Sequence, residues 1–147
     1  MADNDTALTS TDRVNVTRRD ANGVGTPGSV TPGQIFETVG LGYDTGAGGA
    51  VTQITSRTTG VTLSKNCGAI TLVSAAGSAT PASFTVTNTL VAATDTIIVN
   101  QKSGTDLYEI HVTAVGAGSF RITSFTTGGT TTESPVFNFA VVKAVAA

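Results

Sequence analysis

From Ala50 onward the chain alternates apolar and polar residues in eight short runs. They read AVTQITS, GVTLS, CGAITLV, ASFTVTN, TDTIIVNQ, LYEIHVTAV, SFRITSF and PVFNFAVVKAV. Each is rich in Val, Ile, Thr or Phe, which suit a pleated, half-buried surface. Each is bounded by Gly, Ser, Asn, Asp or Pro. A spacing of about ten residues per run is the rhythm of a sandwich or barrel. No capped run carries apolar residues at i, i+3, i+4 and i+7, so no helix is predicted. The predicted fold class is all-β: an antiparallel β-sandwich, Ig-like or jelly-roll-like, over 50–147.

Alternation also assigns faces. Tyr108, Ile110, Val112 and Ala114 share one face, with Glu109, His111 and Thr113 on the other. Phe120 and Ile122 oppose Arg121 and Thr123, and Gly116-Ala117-Gly118 fits a tight hairpin between these two runs. Ile97-Ile98-Val99 is apolar on both faces, as an interior strand would be. In the last run Phe137, Phe139 and Val141 are expected in the core. Val136, Ala140 and Val142 then face outward or meet another subunit.

The first part of the chain has a different pattern. Residues 1–33 lack sustained apolar periodicity and end in the turn-forming GVGTPGSVTPG. They are expected to form an extended N-terminal arm, which alone would not bury enough to offset its ordering entropy. Within it, RVNVT around Val14 and Val16 could add as one strand to something else. Residues 34–49 read as a Gly-rich linker, with a possible short strand at Ile35 to Val39.

Composition narrows the function. Of 147 residues only 12% are charged, about half the share of an ordinary soluble domain. Such a surface has weak colloidal repulsion and suits a subunit of an assembly. The net charge of −2 includes no basic stripe, which argues against nucleic acid. The polar, acidic MADNDTALTSTDR lacks the pattern of a signal peptide. No apolar run reaches the roughly 18 residues a membrane span needs. Synthesis in the cytoplasm and no membrane partner are therefore expected.

Candidate chemistry is sparse. His111, the single histidine, could act as a base with Ser119 or Asp106, but no Gly-x-Ser-x-Gly elbow is present. It reads as a strand residue beside Glu109 and Arg121. Cys67, the single cysteine, reads as a small half-buried residue; only Lys65 stands near to activate it. Asp44 reads as a turn-stabilising side chain. Gly40-x-Gly42 matches no phosphate loop. No catalytic residue, cofactor or metal site is predicted.

The run GLGYDTGAGGAVTQITSRTTGVTLSKNCGAITL, continuing to FTVTN, ATDTIIVNQ, AGSFRITSF and FNFAVVKAV, resembles a β domain of tailed-bacteriophage virion proteins. That domain is associated with capsid decoration (cement) proteins and with head or tail fibre tips. The resemblance covers roughly residues 40–147 and implies a structural role without catalytic residues. A short chain without shaft or collagen-like repeat favours decoration of the outer capsid surface over a fibre. The expected partners are the major capsid protein and sister copies, as a homotrimer or a dimer. The expected contact residues are Arg13, Val14, Val16, Arg18, Arg19, Ile35 and Phe36. The alternatives are a head-fibre or tail-fibre component, or a carbohydrate-binding module for host surfaces.

Overall fold

The structure is a computed structural model that describes residues 46–144, residue 43, and the strand backbones of 14–19 and 25–30. The chain divides into two compact units, Met1–Gly42 and Tyr43–Ala147. Among the described residues every regular element is a strand.

In the first unit, β1 (Val14–Arg19) pairs antiparallel with β2 (Gly25–Val30). The strand expected at RVNVT therefore finds its partner within the same segment. That partner contains GTPGSV, expected as turn. Pro27 stands opposite Thr17. A two-strand ribbon leaves outward N–H positions unpaired, so a residue without an N–H is tolerated there.

The second unit holds β3 (Gly48–Thr52), β4 (Val61–Thr62), β5 (Cys67–Thr71), β6 (Ala75–Ala76), β7 (Ala82–Thr87), β8 (Thr96–Ser103), β9 (Leu107–Gly116), β10 (Ser119–Gly128), β11 (Thr132–Glu133) and β12 (Val136–Val142). β3 begins inside the segment read as linker. Two four-stranded sheets form, ordered β3-β5-β12-β8 and β4-β7-β10-β9, and β6 pairs with β11 in a small ribbon. The sheets share one core, centred on Ile70, Phe84, Val86, Phe120, Ile122, Phe137, Phe139 and Val141. Phe120 meets Phe139 at 5.2 Å between ring centroids, and Tyr108 meets Phe137 edge-on at 5.6 Å. These aromatic pairs bridge the two sheets.

The expectation of a purely antiparallel sandwich is corrected. β3 runs parallel to β5, and β4 parallel to β7. The chain passes from β3 to β4 in the other sheet and back to β5. Neighbours in one sheet are thus joined by a crossover and point the same way.

Two face assignments are also corrected. In the β9–β10 hairpin the register shifts between Val112 and Ala114, leaving Thr113 as an extra residue. The alternation slips by one, so Ala114 is exposed and Val115 packs on the core instead. β8 is an edge strand, not an interior one, and β12 takes the interior place. Ile97 is buried, but Ile98 is 55% exposed. The expected core face of the last run holds, with Phe137, Phe139 and Val141 all buried.

Candidate interaction surface

Each four-stranded sheet turns one face to the core and one away from it. The outer face of β4-β7-β10-β9 is polar and internally bonded. Thr123 is its centre. Its hydroxyl lies 2.8 Å from that of Ser83 on β7 and 2.8 Å from that of Thr113 on β9. Arg121 Nε donates to Thr113 Oγ1 at 3.0 Å. Beside this ladder His111 Nε2 stands 3.5 Å from Glu109 Oε1, and its ring stacks on Phe125. Charges and hydroxyls suit a face turned to water.

The outer face of β3-β5-β12-β8 is built differently. Gly48, Ala50, Cys67 and Ala69 come from β3 and β5; Asn138, Ala140 and Val142 come from β12. β8 adds Ile98, Asn100 and Lys102. Lys102 is the single charged side chain in the set. The small residues leave a shallow depression of about 390 Å³, floored by Gly48, Cys67, Ala69 and Ala140 and walled by Ile98. Val142 is 46% exposed at the other end of the face. Ile98 and Val142 are two of the exposed large apolar side chains; Leu107, at the start of β9 in the other sheet, is a third at 66%.

The titratable side chains away from these faces hold loops in place. Arg57 is half-buried and donates to the carbonyls of Val73 (3.2 Å), Ala75 (2.5 Å) and Glu133 (2.9 Å), and to Tyr108 Oη (2.8 Å). Its guanidinium also lies 5.5 Å from the Tyr108 ring centroid. Burial raises the Tyr108 hydroxyl pKa, against the lowering influence of Arg57. Arg57 thus ties both strands of the small ribbon to β9.

Glu133 caps the β8–β9 turn. Its carboxylate accepts the Asp106 N–H at 3.0 Å and the Thr105 N–H, and the Thr105 bond most strongly holds its pKa low. Asp106, itself buried, accepts the Thr131 N–H at 2.8 Å. Gly129, at φ 101°, makes room for the Asp106 carboxylate, which a Cβ there would strike.

Asp95 is the third such centre. Its side chain is only 1% exposed and accepts from Lys143 Nζ at 2.7 Å and from the Ala92 N–H at 2.8 Å. Lys143 also donates to the Leu90 carbonyl. The Lys143 hydrogen bond, followed by the Ala92 N–H, holds the Asp95 carboxyl below its usual range. This clasp ties the β7–β8 loop to the end of β12.

The residues considered for chemistry are not brought together. Asp106 is engaged with Thr131, while His111 lies on the outer face of β9. Ser119 pairs with Gly116, five residues along β9 from His111, or roughly 17 Å of strand. Cys67 stands on the small-residue face. Among the described residues no three His, Cys, Asp or Glu side chains group to hold a metal ion. No helix of the described residues is long and apolar enough to cross a membrane.

Of the expected contact residues, Val14, Val16, Arg18 and Arg19 form most of β1, while Arg13, Ile35 and Phe36, like Asp44, lie outside the described residues. Arg57, Asp95 and Glu133 were not visible as anchors in the sequence. Each sits in a polar stretch whose pattern resembles an ordinary loop, and their partners are distant in the chain. Compared with protein-family models, curated proteins and solved structures, the chain returns no match.

Proposed function

We propose that this chain is a virion structural subunit, a head decoration protein that binds the outer capsid surface of a tailed bacteriophage and stabilises the lattice. The observation that carries the structural role is the outer face of β3-β5-β12-β8, which presents glycine, alanine, amides and exposed Ile98 and Val142 with one charge. Such a face gains from being covered by another protein chain. The assignment to a phage head rests on the sequence run from GYDTGAGGAVTQITS to NFAV and its resemblance to virion β domains.

In this reading the paired sheets form a β-sandwich that sits on the capsid, and the N-terminal segment, with Arg13, Val14, Val16, Arg18, Arg19, Ile35 and Phe36, reaches neighbouring subunits. Stabilisation follows from linkage: a protein that binds only the assembled lattice shifts the equilibrium toward it. Many copies acting together let weak contacts suffice. The major capsid protein and sister copies are the partners, and no catalytic step is involved.

Quantitative mass spectrometry of purified virions tests this. A decoration protein is expected in a fixed ratio to the capsid protein, with hundreds of copies per particle. A few copies per particle would assign the chain to a fibre. Deleting residues 1–33 is expected to abolish capsid occupancy; full occupancy of the truncated chain would refute the role of the N-terminal segment.

A further inference from the structure

We infer that the outer face of β3-β5-β12-β8 is a self-association surface, whose occupant is the same face of a second copy of this chain. The inference builds on the reading of the protein as a subunit of an assembly, and names the surface and the partner.

Cross-strand register sets the profile of this face. Gly48 pairs with Cys67, Cys67 with Ala140, and Ala140 with Ile98. These four therefore form one row across the sheet, and its profile is lopsided. At the β3 end Gly48 has no side chain. A Cβ placed there would meet only Cys67, with Sγ at 3.3 Å. At the β8 end Ile98 stands 55% exposed. The row runs from hole to knob.

A two-fold axis parallel to the strands, between β5 and β12, reverses this row. It places Ile98 of each copy above Gly48 of the other, and Cys67 of each above Ala140 of the other. Self-complementarity of one patch is what an isologous dimer requires. Small residues in the middle of the row allow two sheets to approach to the usual spacing of about 10 Å.

Charge points to the same occupant. The face offers no Asp, Glu or Arg to a charged partner. A copy of itself would bring one charge per copy to the seam, Lys102, which lines the same depression but stands exposed on the edge strand β8. The opposite outer face would not serve, since pairing it would desolvate Glu109 and Arg121.

Area sets the strength. Four strands about 4.8 Å apart and five residues of about 3.3 Å rise give roughly 300 Å² of face per copy in projection. A stable interface takes about 800 Å² per partner. The dimer is therefore weak in dilute solution and fills when many copies are held close together.

The test uses the full chain without capsids, so its failure is separable from failure of the decoration role. Sedimentation equilibrium over a concentration series is expected to show reversible dimerisation. Ala140→Glu, which sets a charge at the centre of the face, is expected to weaken it at least tenfold. Thr85→Glu on the opposite outer face is expected to leave it unchanged. A chain carrying Ala140→Cys and Cys67→Ser, mixed with the unaltered chain, is expected to be joined between position 140 and Cys67 by a short bismaleimide cross-linker, since sheets about 10 Å apart hold the two thiols beyond the reach of a direct disulfide. This second measurement does not depend on the charged variant folding. A chain that stays monomeric at high concentration would overturn the inference. So would association that survives Ala140→Glu but is lost on deleting residues 1–42.

Discussion

The two outer sheet faces lie on opposite sides of one core, yet they are built on opposite principles. On β4-β7-β10-β9, Ser83, Thr123, Thr113 and Arg121 satisfy one another, so the face is complete against water. On β3-β5-β12-β8, small residues surround an exposed isoleucine, so the face is chemically bare. The two faces also differ in where they spend irregularity. The polar face carries a bulge at Thr113, which leaves Thr113 and Ala114 both outward opposite Arg121. The bare face is regular across its central row and shifts register only near its end, where Lys102 is the extra residue between Gln101 and Ser103. A protein with few charges has concentrated most of those described on one face and in its loop clasps.

The strongest way to break the comparison is to remove what both faces share. Phe137 is fully buried, packs on Tyr108 and belongs to the sheet with the bare face. Phe137→Ala is expected to cost about 3–5 kcal/mol in denaturant unfolding, from lost transfer energy plus the cavity. Both sheets should unfold in one transition; separate transitions would show that the faces rest on independent cores.

Next in size is the clasp at the end of β12. In the folded chain the Asp95 and Glu133 carboxyls take up protons at lower pH than in the unfolded chain. The stability they contribute is therefore full above the ordinary carboxylate range near pH 4, and is lost as pH falls through their folded values. Thermal melts between about pH 2 and pH 7 are expected to show this loss. Asp95→Asn should lower the melting temperature at neutral pH and flatten the acid limb. An unchanged acid limb would mean that Asp95 is not held low.

The polar ladder should be worth less. Thr123→Ala removes the hydroxyl shared by Ser83 and Thr113 and is expected to cost about 0.5–1.5 kcal/mol, since its partners can turn to water. Smallest is the effect of Ala140→Glu on the stability of the isolated chain, expected within about 0.5 kcal/mol. The same change should have the largest effect on self-association. That separation of stability from assembly is the sharpest form of the contrast between the faces.

The legible parts of the fold were those with a local cause. Phe137, Phe139 and Val141 announced a buried face because alternate side chains on a strand point the same way. Gly118, at φ 80°, closes the predicted hairpin where a left-handed residue is needed. Ala114 leaves its expected face because a bulge shifts the period by one without any mark in the sequence. Ile97-Ile98-Val99 reads as interior because two-sided apolarity usually means two-sided burial. Here the second side, Ile98, belongs to the candidate surface. Arg57 was not legible at all, since the carbonyls it serves come together only when β6 and β11 do.

That this chain makes strands, how many runs it offers and which side of most runs is apolar can all be read along the chain. Those are consequences of side-chain shape and a two-residue repeat, both local. Tertiary structure alone decided which strands are neighbours, that two pairs run parallel, and that β8 lies at an edge. It alone placed Gly48, Cys67, Ala140 and Ile98 in one row. Register between strands far apart in the chain is set by the packing of the whole core, and the candidate surface is written in that register.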